Sequence, residues 1–231
     1  MAVHGPIHQF AHYHDFADTR AWLGVPNAAD VLSNLAFAVV AAWAWMTERA
    51  EQSQTVAERL ARQAFIAALF LTSLGSGWYH LAPDNARLAF DRAPIALTCA
   101  AILCATHARA AGGEPAWALP AMLAAALGSV AWWMVTDAAG SDDLRPYLLL
   151  QAAPLVLVPL WQWQWRRPSS ERVAFGIAVA LYVLAKGAEA ADRAILDALG
   201  AVSGHTLKHL AAAAATVFIV RSLRSGDPVA T

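Results

Sequence analysis

Residues 62–80 read RQAFIAALFLTSLGSGWYH, and only Arg62 and His80, at the two ends, belong to the acidic or basic residue types. As an α-helix this stretch would be about 28 Å long, which matches the roughly 30 Å hydrocarbon layer of a bilayer. Six more apolar runs of similar length occur along the chain, at 30–47, 91–108, 116–136, 147–165, 172–190 and 203–222. The sequence therefore predicts an all-α membrane protein, a bundle of seven transmembrane helices.

The composition of the whole chain agrees with a membrane location. Hydrophobic residues make up 58% of the 231 residues and charged residues 14%, and the mean hydropathy is +0.43. Soluble domains carry about 25% charged residues, so much of this surface is adapted to lipid. The 16 Lys and Arg residues balance 17 Asp and Glu residues, which gives a net charge of −1. This balance does not indicate a nucleic-acid partner, and we expect the lipid bilayer to surround the chain.

The connections between the apolar runs are about ten residues long, which leaves no room for a second folded domain. We therefore divide the chain into an N-terminal extramembrane segment at 1–29, a seven-helix domain at 30–222 and a C-terminal tail at 223–231. Four of the eight histidines lie among the first 14 residues. We expect this histidine-rich segment to be solvated and responsive to pH.

The distribution of arginine predicts the orientation, because cytoplasmic loops are enriched in Lys and Arg. Loops on the side of the C-terminus hold nine arginines, which are Arg49, Arg59, Arg62, Arg109, Arg166, Arg167, Arg172, Arg221 and Arg224. Loops on the opposite side hold four, which are Arg20, Arg87, Arg145 and Arg193. We therefore expect the N-terminus outside and the C-terminus in the cytoplasm. For an alanine-rich chain of bacterial character, this predicts an inner-membrane protein with its N-terminus in the periplasm.

Polar and ionisable residues lie at one predicted depth in the membrane. Burying such residues in a bilayer costs free energy, so their presence there indicates a function. Ser76 and His80 lie four residues apart at the outer end of the second run, so they share a helix face. The third run starts at that side with Asp91, in the first turn of its helix. The seventh run also starts there, with His205 and His209 four residues apart. Three helix ends that are distant in sequence thus bring five polar residues to one level.

The three histidines, His80, His205 and His209, are suited to Zn²⁺. Their nitrogens would fill three positions of a tetrahedral site and leave the fourth open for water, as in catalytic zinc sites. Zinc lowers the pKa of bound water to about 7. Asp91 could then accept a proton from this water, and Ser76 could donate a hydrogen bond to the oxygen anion that develops during acyl transfer. This set of residues predicts hydrolysis of an acyl bond.

Two of these residues also have purely structural interpretations. Asp91 is a candidate N-cap of the third helix. Ser76 is a candidate packing residue, since the neighbouring pattern Ser73-x-x-x-Gly77 has the small-x-x-x-small form that permits close contact between helices.

Four further residues are candidates for a substrate pocket. Trp78 and Tyr79 could line a cavity for the acyl chain, but they serve equally well as packing or interface residues. Lys186 and Glu189, three residues apart on the sixth run, could close a polar pocket over the substrate amide. The alternative for these two is an ion pair that satisfies both charges inside the bundle, extended by Arg193.

The pattern of functional residues is a Ser-x-x-x-His on the second run, an Asp at the start of the third and a His-x-x-x-His on the seventh. The segments that carry it or accompany it are GSGWYHLAPDNARLAFDRAP (75–94), AKGAEAADRAI (185–195) and SGHTLKH (203–209). In this pattern the chain resembles the alkaline ceramidase family, in its bacterial branch. That family is part of a superfamily of seven-helix hydrolases that includes the adiponectin and progestin receptors.

The resemblance implies a zinc-dependent hydrolase that cleaves the amide bond of ceramide into a long-chain base and a fatty acid. It implies zinc ligation by His80, His205 and His209, activation of water by Asp91 and stabilisation of the oxyanion by Ser76. Many bacteria lack ceramide, so a related N-acyl lipid is an alternative substrate. The active site would face the periplasmic side of the membrane.

The resemblance also raises the question of calcium. Eukaryotic relatives hold Ca²⁺ near the N-terminus with acidic residues that precede the first span. The matching segment here is DTRAWLGVPNAAD (18–30), with Asp18, Asn27 and Asp30 as candidate ligands. It contains fewer carboxylates than the segment in those relatives, and Arg20 lies among them.

A function of another class is compatible with the same residues. Zinc could instead have a structural role and hold the second, third and seventh spans together in a non-catalytic receptor or lipid-binding protein. Lost folding on zinc removal, without turnover of any lipid amide or ester, would favour this alternative. A transporter is a third option, but the sequence has no internal repeat and no broken helices near the midplane.

Overall fold

The computed structural model describes residues 5–48 and 55–224. In this part of the chain 75% of the residues are helical and no strand occurs, so the predicted all-α class is confirmed. Residues 1–4 of the predicted N-terminal segment and residues 225–231 of the predicted tail lie outside the described part. The helices are α1 (Ala28–Ser33), α2 (Leu35–Met46), α3 (Val56–Leu81), α4 (Asn85–Ala111), α5 (Ala118–Ala138), α6 (Arg145–Gln164), α7 (Ser169–Ala190), α8 (Asp192–Leu199) and α9 (Gly204–Ser222).

Among the described residues, five helical stretches are long and apolar enough to cross a membrane. They are Ala28–Met46, which joins α1 and α2, and the helices α3, α4, α5 and α7. The most apolar part of α5 and of α7 is only 22% buried inside the protein, so most of its surface faces outward. The helices α6 and α9, with 20 and 19 residues, are not among the five. The chain thus has the character of a multi-pass membrane protein.

Two helices begin earlier than the hydrophobic pattern indicates. Helix α3 starts after Thr55, whose side chain accepts a hydrogen bond from the backbone N–H of Glu58. Helix α4 starts after Asp84, whose carboxylate accepts one from the backbone N–H of Arg87. The expectation that Asp91 caps this helix is therefore wrong, because Asp84 does so and Asp91 lies in the second turn.

The first predicted run is interrupted between α1 and α2. The Ser33 hydroxyl and the Asn34 side-chain amide both donate to the backbone carbonyl of Asp30, over 3.0 and 2.8 Å. Such local side-chain bonds compete with regular helical hydrogen bonds. The break leaves Ser33 and Asn34 buried, facing the start of α9.

The connection after α7, expected to be a loop, contains the short helix α8. Asp192, its first residue, accepts hydrogen bonds from the backbone N–H groups of Ala17 and His205, over 2.8 and 2.7 Å. Gly200, with a φ of 68°, ends the helix in the left-handed conformation that glycine favours. This carboxylate therefore fixes the start of α9 to the N-terminal segment.

Close contacts between helix backbones are made at two glycines. A side chain at Gly75 of α3 would collide with the backbone carbonyl of Phe90 in α4, and one at Gly204 of α9 would collide with that of Ala188 in α7. Gly77, which belongs to the predicted small-residue pattern, has open space around it, its nearest neighbour being the Val31 carbonyl at 4.0 Å. The small residue that brings α3 and α4 together is thus Gly75.

The C-terminal end of α3 and the N-terminal ends of α1, α4 and α9 meet at one end of the bundle. The N-terminal segment packs over this end: the Ile7 carbonyl accepts from the Leu144 backbone N–H, and the Gln9 backbone N–H donates to Asp142. His14 contacts the Tyr79 hydroxyl at 2.8 Å, whereas His8 and His12 are exposed, as expected for a solvated segment. The segment is an ordered cover for the site below it.

Candidate metal centre

Three buried histidines lie together beneath this cover. His80 comes from the last turn of α3, and His205 and His209 come from the first two turns of α9. Each offers one ring nitrogen, and these nitrogens all lie within 4.8 Å of one another. The ring centroids are 4.7 to 4.9 Å apart. The structure therefore brings together the three residues that the sequence predicted as metal ligands.

The geometry of this cluster is compatible with zinc. The Nε2 atoms of His80 and His205 are 3.3 Å apart. Two ligand nitrogens of a tetrahedral zinc site, each about 2.0 to 2.1 Å from the metal, are separated by about 3.3 Å. Burial also disfavours charged imidazoles, and neutral imidazole is the form that binds metal. The His80, His205 and His209 cluster could thus hold a metal ion, and its donor set suits zinc.

A hydroxyl group fixes the orientation of His209. The Nδ1 atom of His209 lies 2.8 Å from Ser33 Oγ, and the Ser33 hydroxyl donates to the carbonyl of Asp30. Since the hydroxyl proton is used in this way, Ser33 Oγ is placed to accept a hydrogen bond from His209 in the tautomer that carries its proton on Nδ1. Histidines that bind metal commonly donate their other ring N–H to such an acceptor. This arrangement leaves His209 Nε2 free for the metal.

The start of α9 is held by several side chains that the sequence analysis did not single out. Ser203 caps the helix by accepting a hydrogen bond from the backbone N–H of Thr206. The Thr206 hydroxyl donates to Asp30 Oδ1 over 2.6 Å. Because Ser203 and Asp30 are both fully buried, these bonds fix the position of the turn that carries His205.

Phe16 covers the cluster from the N-terminal segment. Its ring centroid lies 4.7 Å from that of His80 and 4.4 Å from that of His205. Both contacts are edge-on, and the ring also packs against Tyr79. An aromatic ring in this place excludes water from one side of the candidate site.

A cavity of about 500 Å³ lies next to the cluster, and His209, Asp91 and Ser76 belong to its wall. Ser76 and Asp91 come from the neighbouring helices α3 and α4 and line the same cavity. Most of the wall is apolar, with residues of α3, α4, α6, α7 and α9, for example Phe175 and Leu155. A cavity of this kind suits a long hydrocarbon chain whose polar end lies near the histidines.

Lys186 and Glu189 also line this cavity, and they form an ion pair with each other. A third charged residue joins them, since Lys208 Nζ lies 2.7 Å from Glu189 Oε1. Lys208 Nζ is also 3.4 Å from His205 Nε2. Lys208 therefore extends the ion pair towards the histidines, whereas Arg193, the expected extension, is exposed.

The other two candidate pocket residues lie outside the cavity wall. The Trp78 side chain is on the outer surface, 51% exposed, with the Arg87 guanidinium above its ring. Tyr79 is buried, but its ring faces the N-terminal segment, where its hydroxyl contacts His14. Both residues thus contribute to packing at this end of the bundle.

The candidate calcium ligands have protein partners in this structure. Arg20 donates to both carboxylate oxygens of Asp18, over 2.8 and 2.6 Å, and these bonds hold the pKa of Asp18 below its usual range. The same guanidinium donates to the carbonyls of Gly200 and Ala201. The Asn27 amide donates to the His80 carbonyl over 2.7 Å. A cation, that of Arg20, thus already neutralises Asp18.

Comparison with protein families, with curated proteins and with solved structures finds no match for this chain. The class of the protein therefore follows from its own fold and site. It is a helical protein of multi-pass membrane character with a buried cluster of three histidines that could bind a metal ion.

Proposed function

We propose that this protein is a zinc-dependent hydrolase that cleaves the amide bond of ceramide or a related N-acyl lipid within the membrane. The observation that carries the proposal is the shared wall of the cavity: His209, Asp91 and Ser76 all line it. A ligand site, an acid–base group and a hydroxyl donor thus face a space suited to a lipid chain. The resemblance to the alkaline ceramidases supports the choice of an amide substrate.

The chemistry follows from the properties of these residues. Bound zinc would lower the pKa of a coordinated water to about 7 and polarise the substrate carbonyl. Asp91 accepts a proton from the attacking water as its oxygen forms a bond to the carbonyl carbon. Asp91 then returns this proton to the amide nitrogen when the C–N bond breaks. Ser76 donates a hydrogen bond to the carbonyl oxygen, and the products are a fatty acid and an amine.

The proposal includes a topology. All of the long helices cross the membrane, α6 and α9 among them, with the N-terminus in the periplasm and the C-terminus in the cytoplasm. Close backbone contact between α9 and the apolar helix α7, at Gly204 and Ala188, supports a membrane position for α9. The candidate metal centre then lies near the outer leaflet of a bacterial inner membrane, where a lipid substrate reaches it from the bilayer.

The role of Asp91 is tested by Asp91→Asn. We expect this variant to keep its zinc but to lose at least about a hundredfold in the rate of fatty-acid release from N-acyl lipids, because asparagine cannot accept the proton. The rate is measured on purified protein in detergent, with Asp197→Asn, which removes an exposed carboxylate of α8, as the control. Undiminished turnover by Asp91→Asn would refute the assignment of the base.

One observation favours a second candidate function, a receptor or lipid-binding protein in which zinc is structural. Phe16 lies directly against His80 and His205, so the cluster is closed on this side. Structural zinc sites are closed, whereas catalytic sites keep an open position. If a chelator unfolds the protein, and the zinc-loaded protein releases no fatty acid from any lipid amide or ester, this second function is favoured.

A further inference from the structure

Lysine is rare in this chain and confined to one place. Of the 16 Lys and Arg residues only Lys186 and Lys208 are lysines, and both line the cavity beside the candidate metal centre. They come from different helices, α7 and α9, and they share a single carboxylate, that of Glu189. One lysine is enough to neutralise the Glu189 carboxylate, so the second lysine is available to bind another anion.

The charges along the cavity wall leave an excess of one positive charge. The cations of the wall are Arg92, Lys186 and Lys208, and the anions are Asp91 and Glu189. The Arg92 guanidinium is buried, and it packs against the Trp133 ring, with its charge centre 4.0 Å from the ring centroid. The lysine ammonium groups are thus the cations with access to a ligand, and a bound divalent metal would increase the excess.

Lys186 is the lysine best placed to contact a ligand. Its side chain is 56% exposed although it lines the cavity, and its ammonium group has three N–H donors, whereas Glu189 Oε2 is the only acceptor that it contacts among the described residues. Lys208 Nζ is more enclosed, between Glu189 Oε1 and His205. One donor of Lys208 thus points to the metal centre, while Lys186 faces the space where the head of a lipid would lie.

The order of these groups sets the position of the anion that Lys186 would bind. Lys208 Nζ lies 3.4 Å from the candidate metal ligand His205, and it lies 2.7 Å from Glu189 Oε1. Lys186 contacts the other carboxylate oxygen of Glu189. Only two side-chain groups therefore separate Lys186 from the metal centre. An anion held here would lie in the same cavity as His209 and Asp91, near the linkage that is cleaved.

We propose that Lys186 binds a carboxylate next to the scissile amide, so that the preferred substrates are N-acyl amino acids rather than ceramides. This inference rests on the proposed function and specifies its substrate class. In an N-acyl amino acid one carbon separates the amide nitrogen from the carboxylate, which matches the short path from Lys186 to the histidines. Hydrolysis of ceramide would release a long-chain amine, whose ammonium group has no neighbouring carboxylate to offset its repulsion by the two lysines.

The test compares N-oleoylglycine with its neutral analogue N-oleoylglycinamide. Binding of each compound to the zinc-loaded protein in detergent is measured by calorimetry, and release of oleate is measured separately. We expect the wild-type protein to bind the acid about tenfold more tightly than the amide, as one charge-assisted hydrogen bond supplies. In Lys186→Gln the ratio should fall close to one, whereas Lys186→Arg should retain most of it.

Arg193→Gln is the matched control, because it removes a positive charge from an exposed residue of α8 that does not line the cavity. In this variant the ratio of the affinities for N-oleoylglycine and N-oleoylglycinamide should be the same as in the wild type. Equal binding of acid and amide by the wild-type protein, or an unchanged ratio in Lys186→Gln, would overturn the inference. If the acid is preferred but neither compound is cleaved, the carboxylate site stands and the proposed hydrolase function fails.

Discussion

A hydroxyl group fixes the orientation of one imidazole of the candidate metal centre, that of His209. Ser33 lies between His209 Nδ1 and the carbonyl of Asp30, and Thr206 bonds to the Asp30 carboxylate. All of these residues are buried, so their bonds form with little competition from water. Asp30 thus links α1 to α9, the helix that carries two of the three histidines.

Ser33→Ala tests this arrangement. Loss of the acceptor for His209 Nδ1 should weaken zinc binding by at least about tenfold, the usual effect of removing a partner of a metal-binding histidine. Zinc affinity is measured by competition with a chelator. Ser129→Ala is the control, since Ser129 is also a buried serine that donates to a backbone carbonyl, but in α5. Equal zinc affinities of the two variants would contradict the role of Ser33.

At the residue scale, the sequence was sufficient to predict the three candidate metal ligands but not the residues that form hydrogen bonds with them. Helical spacing and the position at the ends of apolar runs were enough to predict His80, His205 and His209. Ser33 could not be predicted, because its role depends on a contact with a residue 176 positions away. Lys208 does carry a signal in the sequence, because it is one of only two lysines in the chain.

Helices α3 and α4 show how a single small residue sets the distance between two elements. The backbone of α4 passes directly over Gly75, while Gly77 faces open space. The nearest backbone atoms of α4 are those of Phe90, which precedes Asp91. The packing at Gly75 therefore also sets the position of Asp91 relative to Ser76, the next residue of α3.

Gly75→Ala should therefore destabilise the protein by about 1 to 3 kcal/mol, the usual cost of forcing an extra carbon into a packed interface. Gly77→Ala makes the same chemical change on the same helix, without a close neighbour, and should have little effect. The measurement is the free energy of unfolding, or the midpoint of thermal unfolding, in one detergent. A loss of stability in Gly77→Ala that equals the loss in Gly75→Ala would argue against this packing.

The carboxylate of Asp143 stabilises the loop between α5 and α6. Arg145 donates to both oxygens of Asp143 over 2.8 Å, and the Trp132 indole donates over 3.1 Å. These bonds hold the pKa of Asp143 well below its usual range, the bonds from Arg145 contributing most. A carboxyl group whose pKa is lower in the folded state contributes its full stability above the unfolded pKa, about 3.9, and loses it as the pH falls below that value.

Asp143→Asn should accordingly lower the unfolding temperature at pH 6, and the difference from the wild type should shrink at pH 3. Both proteins are measured with a chelator present, so that loss of metal at low pH affects them equally. Asp197→Asn should show no such change between the two pH values. A difference between wild type and Asp143→Asn that stays the same at both pH values would contradict the pKa direction.

At the scale of the whole molecule, the hydrophobic pattern predicted the long helices because each apolar run is a local signal, but it did not predict the break between α1 and α2 or the short helix α8. The predicted bounds of the run at 116–136, for example, differ from those of α5 by two residues at each end. The cover formed by the N-terminal segment over the histidine cluster was not predicted, since its contacts are distant in sequence, such as that of Gln9 with Asp142 across 133 positions. The number of spans and their orientation stay predictions.

The same cover links the parts of the site into one unit. Phe16 touches two of the three histidines, and Ala17 bonds to Asp192, which also holds the first turn of α9. The N-terminal segment, α8 and α9 thus meet at one carboxylate. A bundle of apolar helices, a cluster of three histidines at one end and a cover over that cluster thus form a single arrangement.

The central claim is that His80, His205 and His209 bind zinc, and elemental analysis of purified protein in detergent tests it most directly. The measurement compares the wild type with His205→Ala/His209→Ala, and with His107→Ala, which removes a histidine paired with Glu114 at the far end of α4. We predict one zinc per chain in the wild type and in His107→Ala, and none in the double variant. Zinc retained by a folded double variant, or absent from the wild type, would contradict the claim.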